Sequence, residues 1–259
     1  TLYLVPDEDQ KPVTIGGSKI GGAPDLPLDW DHPENIQDHY YVFHAQLNCE
    51  DLAPYQNYLP RKGMLYFFVN DEEYAQAPKV LYSPQAQALR RWVYEETAQF
   101  TDPDFDEEDY QYRAIGLTPK SGLSVPALYN ASNHGAERHP QYAALFDSEA
   151  AADEDRVEAL TAITEALSEK VHTPLDIPYK NHRVRAHSVN SYVFTQHESP
   201  QEQAAARFGG EPSEWMVLLS LESIGQFCFW DAGTLTYCIH KKDLAIQDFF
   251  TIHASIDSS

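Results

Sequence analysis

QFCFWDAGTLTYCIHKKDL, residues 226–244, is the stretch on which the fold turns. Phe227 and Phe229 alternate with Cys228, and Leu235, Tyr237 and Ile239 alternate with Thr234, Thr236 and Cys238. A period of two sends one set of side chains to a single face, as in a half-buried strand. Between the runs, Asp231-Ala232-Gly233 has the composition of a three-residue hairpin loop, with Gly233 free to enter the left-handed region. The stretch predicts a β-hairpin. An earlier segment, Gly63-Met64-Leu65-Tyr66-Phe67-Phe68-Val69, repeats its second half: glycine, leucine two residues on, an aromatic two further.

The echo extends outward. WMVLLSL at 215–221 has the character of YYVFHAQLN at 40–48, with Ser220 in the place of Gln46. The spacing is too long for a solenoid unit and points to a duplicated half-domain. The expected fold is α+β and predominantly β: one globular domain over residues 1–259, built from two similar β-rich halves. These run roughly over 18–125 and 180–250 and are joined by residues 126–179. That connection holds one amphipathic helix near 153–172, in which Val157, Leu160, Ile163, Leu167 and Val171 form one stripe. Asp153, Glu154 and Asp155 crowd its start, where the helix dipole favours acids. Residues 1–17 read as polar, without a periodic signal.

Forty acids against 18 lysines and arginines give a formal charge of −22. Such a surface repels phosphate backbones, so nucleic acid is not an expected partner; a basic protein is electrostatically favoured. Solubility alone is the plainer use of the charge. Three cysteines, Cys49, Cys228 and Cys238, without a CxxC pair, suit a reducing cytoplasm. No apolar run is long enough for a membrane span and none reads as a signal peptide. The oligomeric state is open.

The chemistry-bearing residues do not assemble into a catalytic motif. Gly21-Gly22 lacks the spacing of a phosphate loop and reads as a turn. The acidic run DPDFDEED at 102–109 lacks the glycine of a calcium loop. His134 and His139 cannot share a helix face, so no metal site is expected. Cys49 and His44, five residues apart on a strand, would point to opposite faces. Gln46, polar in an apolar run, either ties down a loop or lines a cavity. A shared ligand site, if one is built, draws on Gln46, His187, Gln196 and Asp231, with Trp30 and Trp230 as stacking surfaces. The competing roles are structural: Asp231 capping its own turn and the tryptophans filling the core.

The landmarks SKIGGAPDLP followed by a tryptophan, FHAQLNCEDLAPY, LPRKGMLYFFVNDE, KVLYSP and WMVLLSLES followed by WDAGTLTYCIHKKDL and DFF together resemble the YwqG-like family, a bacterial family of unassigned function. The resemblance implies a β-rich fold of two similar halves, with no cofactor and no accepted catalytic residues. The family pattern His…Gly…Pro…Gln is altered here: His187 and Gln196 remain, while Asn190-Ser191 and Val193 replace the glycine and proline. Family members are also associated with toxin immunity. The leading expectation is a non-enzymatic cytoplasmic protein whose acidic surface binds a basic protein, such as a toxin it neutralises. The alternative is a small-ligand protein or hydrolase-type enzyme with a polar pocket between the halves.

Overall fold

A computed structural model describes residues 1–7, 12–33, 41–70, 77–84, 88–93, 114–122, 124, 176–179, 182–193, 198–224 and 228–258, of which 176–179 and 182–185 are described by their backbone alone. The strands in chain order are β1 (Leu2–Pro6), β2 (Lys19–Ile20), β3 (Asp25–Pro27), β4 (Val42–Asn48), β5 (Met64–Val69), β6 (Lys79–Ser83) and β7 (Leu89–Arg91). There follow β8 (Ile115–Ser121), β9 (Asp176–Tyr179), β10 (His182–Arg185), β11 (His187–Val189), β12 (Trp215–Glu222), β13 (Thr234–His240) and β14 (Ile252–Asp257). Short helices α1 (Cys49–Leu52) and α3 (Lys241–Ala245), the longer α2 (Pro200–Phe208) and a 3-10 turn at Pro212–Glu214 complete the described elements.

Ten strands make one antiparallel sheet in the order β14-β13-β12-β11-β1-β8-β2-β4-β5-β6. Tyr82 on one edge strand packs against Phe249, just ahead of the other, with ring centres 5.4 Å apart, so the sheet curls almost to closure. Its inner face forms the main core, with Leu2, Leu4, Leu47, Leu65, Phe67, Val189, Leu219, Leu235 and Tyr237 buried together. The outer face is covered too. A two-stranded ribbon of β3 and β7 lies with Leu26 over Met64, Tyr66 and Phe68, while α2 brings Ala204 against Val217 and Cys238. Burial on both faces explains why β5 reads MLYFFV without alternation: every residue in it is buried.

The two wings of the sheet share their geometry. Gln46 stands opposite Tyr66, three residues after Gly63; Ser220 stands opposite Thr236, three residues after Gly233. A bulge interrupts β4 between Phe43 and Ala45, and another interrupts β12 between Val217 and Leu219. Met64 pairs with Ser83, and Thr234 with Asp257. At both glycines the next strand comes too close for a side chain: a Cβ on Gly63 would lie 2.1 Å from the Ser83 carbonyl oxygen, and one on Gly233 2.5 Å from that of Asp257. Phe67 and Tyr237, each four residues beyond its glycine, meet in the core with ring centres 5.3 Å apart.

Three local expectations are corrected. The strand at 234–240 has 215–222 on one side and 252–257 on the other, in place of the expected hairpin partner; Cys228 and Phe229 lie in the connection between strands. In the turn that follows, Trp230 and Ala232, at φ 50° and 57°, take the left-handed positions, and Gly233 serves close approach instead. Leu2–Pro6 is a strand at the centre of the sheet, missed because its apolar run is continuous. The strand that starts at His187 ends at Val189, where Asn190 turns at φ 50°; the expected turn at Gly21, after β2, has φ 62°. The amphipathic helix near 153–172, the acidic run 102–109 and His134 and His139 lie outside the described residues.

Gly63→Ala meets a backbone oxygen and a left-handed φ together, and is expected to cost about 3 kcal/mol or more. Gly233→Ala meets no left-handed φ, but its Cβ would crowd the Asp257 carbonyl oxygen at 2.5 Å and the Phe229 oxygen and Ser258 Cβ at 2.9 Å, and about 1–2 kcal/mol is expected. Urea denaturation of the two variants measures both, and the order Gly63 before Gly233 is the outcome that checks the account.

Candidate functional site

The densest polar cluster sits between the sheet's outer face and the β3–β7 ribbon. Asp25, fully buried, is its centre. Arg91 Nε donates to Asp25 Oδ1 at 2.8 Å and Arg91 Nη2 to Oδ2 at 3.3 Å. Lys19 Nζ lies 3.3 Å from Oδ2, which also accepts from the Gly16 N–H at 3.0 Å and from Gln46 Nε2 at 2.8 Å. Gln46 Oε1 accepts from the Asp25 N–H at 2.8 Å, and Gln46 Nε2 donates to the Gly17 carbonyl at 2.9 Å. Burial opposes the Asp25 charge, but Arg91, Lys19, the Gly16 N–H and Gln46 outweigh it and hold the carboxyl below its ordinary value. Burial pushes Lys19 down to about 8 against the pull of Asp25, so at neutral pH the ammonium and the carboxylate are both charged. Each carboxylate oxygen is engaged, which makes this a clamp that fastens the ribbon to the sheet.

The inner face holds His44 and His187, both fully buried. The bulge in β4 turns His44 inward, where its Nδ1 meets the Tyr237 hydroxyl at 3.0 Å. His187 Nδ1 accepts from the Glu222 N–H at 3.0 Å, and burial pushes this histidine down to about 3. Burial raises the Cys49 thiol to about 12 and raises Cys238 further. Both thiols are therefore protonated, and thiolate is the nucleophilic form. All three cysteines are free. Among the described residues no group of three side chains is placed to hold a metal ion, and no helix is long and apolar enough to cross a membrane.

A third arrangement faces solvent. The turn leading into β13 is fixed by the Gly233 N–H donating to the Phe229 carbonyl at 2.6 Å, the Phe229 N–H to Ser223 Oγ at 2.9 Å, and Ser223 Oγ to the Gly233 carbonyl at 2.6 Å. Its other side is held by Ser258 Oγ donating to the Asp231 carbonyl at 3.2 Å. This bonded turn presents Trp230 to water with 53 % of its surface exposed. Asp231 follows it, and Glu222, Thr234 and Asp257 form a row across three strands beside it. Thr234 Oγ1 donates to Glu222 Oε2 at 3.0 Å. From Phe208 to His240 the sequence has four acids and no lysine or arginine. An exposed indole beside carboxylates is suited to hold a cationic side chain by ring stacking and ion pairing.

A sequence model of a domain of unknown function, DUF1963, matches residues 18–257. The chain belongs to this family. A search of curated proteins returns no match.

On this DUF1963 fold the five described candidate residues lie in three separate places. Ladder parity places Gln46 on the outer face, opposite Tyr66, and His187 on the inner face, opposite Leu4. Trp30 lies near Gln46's side of the sheet, its ring 6.1 Å from Tyr66. Trp230 and Asp231 are brought together on the surface turn. Gln196 lies outside the described residues. Gln46 acts as the tie rather than the cavity lining. Asp25, which it ties, and Lys19 and Arg91, which pair with Asp25, are not singled out by sequence pattern; the available signal is the acid in SKIGGAPDLP and the cation pair Arg90-Arg91.

Asp25→Asn leaves Lys19 and Arg91 without their anion, and a loss of about 3–5 kcal/mol is expected by chemical denaturation. Gln46→Ala strands the Asp25 N–H and is expected to cost about 1–3 kcal/mol. The pH dependence follows from the buried histidines. Burial holds His187 at about 3 and His32 and His253 at about 4, against 6.5 when unfolded. Below pH 6.5 the unfolded chain gains protons that the folded one refuses, so stability is full above that value and falls as the solution is acidified. The lowered carboxyl of Asp25 adds loss in the same direction nearer pH 4. Urea midpoints from pH 8 to pH 4 check the sign.

Proposed function

We propose that this chain is a non-enzymatic binding protein whose acidic surface receives a basic protein partner at the Trp230 turn. The observation that carries the reading is that turn: a ring half in water, fixed by four hydrogen bonds, among Glu222, Asp231 and Asp257. A ring held out to solvent by an ordered backbone has no role in the core, and exposed tryptophans are frequent anchors of interfaces. The charge of −22 speeds encounter with a cationic protein. Protonated buried thiols and the saturated Asp25 clamp supply no nucleophile, which favours binding over turnover. Three free cysteines suit a reducing bacterial cytoplasm, and a toxin neutralised there is one kind of basic partner. We also read the two wings as copies of one ancestral β module, on the strength of their equal registers, bulges and glycines.

The test is affinity capture from native bacterial extract at low salt, followed by titration of the purified partner. A basic protein is expected, bound more weakly as salt rises and without turnover of it or of small molecules. Trp230→Ala is expected to weaken binding by about 1–2 kcal/mol, with the fold's denaturation unchanged. A partner indifferent to both salt and Trp230 would sink the reading.

A further inference from the structure

Among the described residues, the last strand, β14, has β13 on one side and no paired strand on the other, the β6 edge approaching ahead of it where Tyr82 packs on Phe249. Ile252, His253 and Ala254 are buried, whereas Ser255, Ile256 and Asp257 are half-buried. Two exposed aromatic rings bracket this edge. Phe250, 92 % exposed, leads into the strand from a turn in which its N–H donates to Asp248 Oδ1 at 3.0 Å and the Asp248 N–H donates to the Asp243 carbonyl at 2.9 Å. Trp230 stands at the other end, where its turn is bonded to Ser258. Acids accompany both rings: Asp248 at the first, Asp231 and Asp257 at the second. Ladder pairing puts Ser255 and Asp257 on the outer face with Thr236 and Thr234, and Ile256 on the inner face with Leu235.

We propose that the edge Ser255–Asp257 takes up an extended basic segment of the partner as an eleventh strand. This rests on the basic-partner reading above and specifies how that partner is held. Main-chain hydrogen bonds to the open edge supply affinity, and alternate side chains supply specificity. The residue set beside Asp257 shares its face and is therefore lysine or arginine, within reach of the acidic row. The residue set beside Ile256 is apolar. The preferred segment alternates cationic and apolar residues. A second copy of this chain fits poorly, because antiparallel pairing of two β14 edges would bring together two surfaces of charge −22 with acids at both ends.

The probe is a capped hexapeptide of alternating lysine and valine, titrated against the whole chain, with the same peptide N-methylated at alternate residues as its partner. N-methylation keeps charge and side chains and removes the strand's donors. The plain peptide is expected to bind, to weaken with salt, and to slow amide exchange at residues 255–257; N-methylation is expected to weaken it at least tenfold. Equal binding of both peptides overturns strand addition and leaves the basic-partner reading standing. Binding by neither peptide, or protection elsewhere in the sheet, also overturns it, while the salt and Trp230 titration of the captured protein judges the earlier reading independently. A self-dimer in sedimentation that protects 255–257 overturns the choice of occupant.

Discussion

A ten-stranded sheet with one apolar face must hide that face against itself, and the contact that does so is Phe67 on Tyr237. These rings come from the middle strands of opposite wings. Around them Leu47, Leu65, Leu219 and Leu235 close the same interior. Each such side chain withdrawn from water contributes roughly 1.5–3 kcal/mol, so the curl of the sheet is driven by its own inner surface. Each wing carries one bulge, and a bulge bends its strand and increases local twist. With the strands curled inward, the outer face is left to be covered by other elements: the ribbon on one wing and α2 on the other.

Much of this architecture was legible from residue pattern. Gly63 and Gly233 were matched by sequence alone, and both prove to be places where the neighbouring strand leaves no room for a Cβ. Gln46 and Ser220 were matched likewise and occupy equal ladder positions. What pattern could not give was pairing. Alternation in 226–239 says that each run is strand-like but is silent on which strand lies beside it, and the partner of Thr234–His240 proved to be an earlier segment across a loop. Leu2–Pro6 and β5 are covered on both faces, so their period vanished in the sequence.

The site was less legible, for a related reason. Gln46 and His187 are both polar residues in apolar strands, but the parity of the ladder sends them to opposite faces of one sheet. Only coordinates fix that parity across ten strands. Trp230 and Asp231 could be joined from sequence because they are neighbours, and their turn orders them together. The Asp25 clamp joins the segment from Gly16 to Asp25 with Gln46 and Arg91, both far along the chain, and no local spacing announces it. In the other wing the row that holds Lys19 and Gln46 is filled by the small hydroxyls Ser188 and Ser220, the latter without a hydrogen-bond partner among the described residues.

The clamp also sets how the molecule breathes. Among the described residues the β3–β7 ribbon pairs with no strand of the large sheet and is fastened to it by the ionic and amide contacts around Asp25 and by Leu26, Leu89 and Trp92 packed beside Tyr66 and Phe68. The ribbon's apolar cluster is distinct from the main core, so loss of those contacts would free the ribbon while the curled interior kept its own, an opening below the global transition. Trp30 and Trp92 would meet water in that partly opened form, giving the molecule a fluorescent native-like excursion distinct from its complete unfolding.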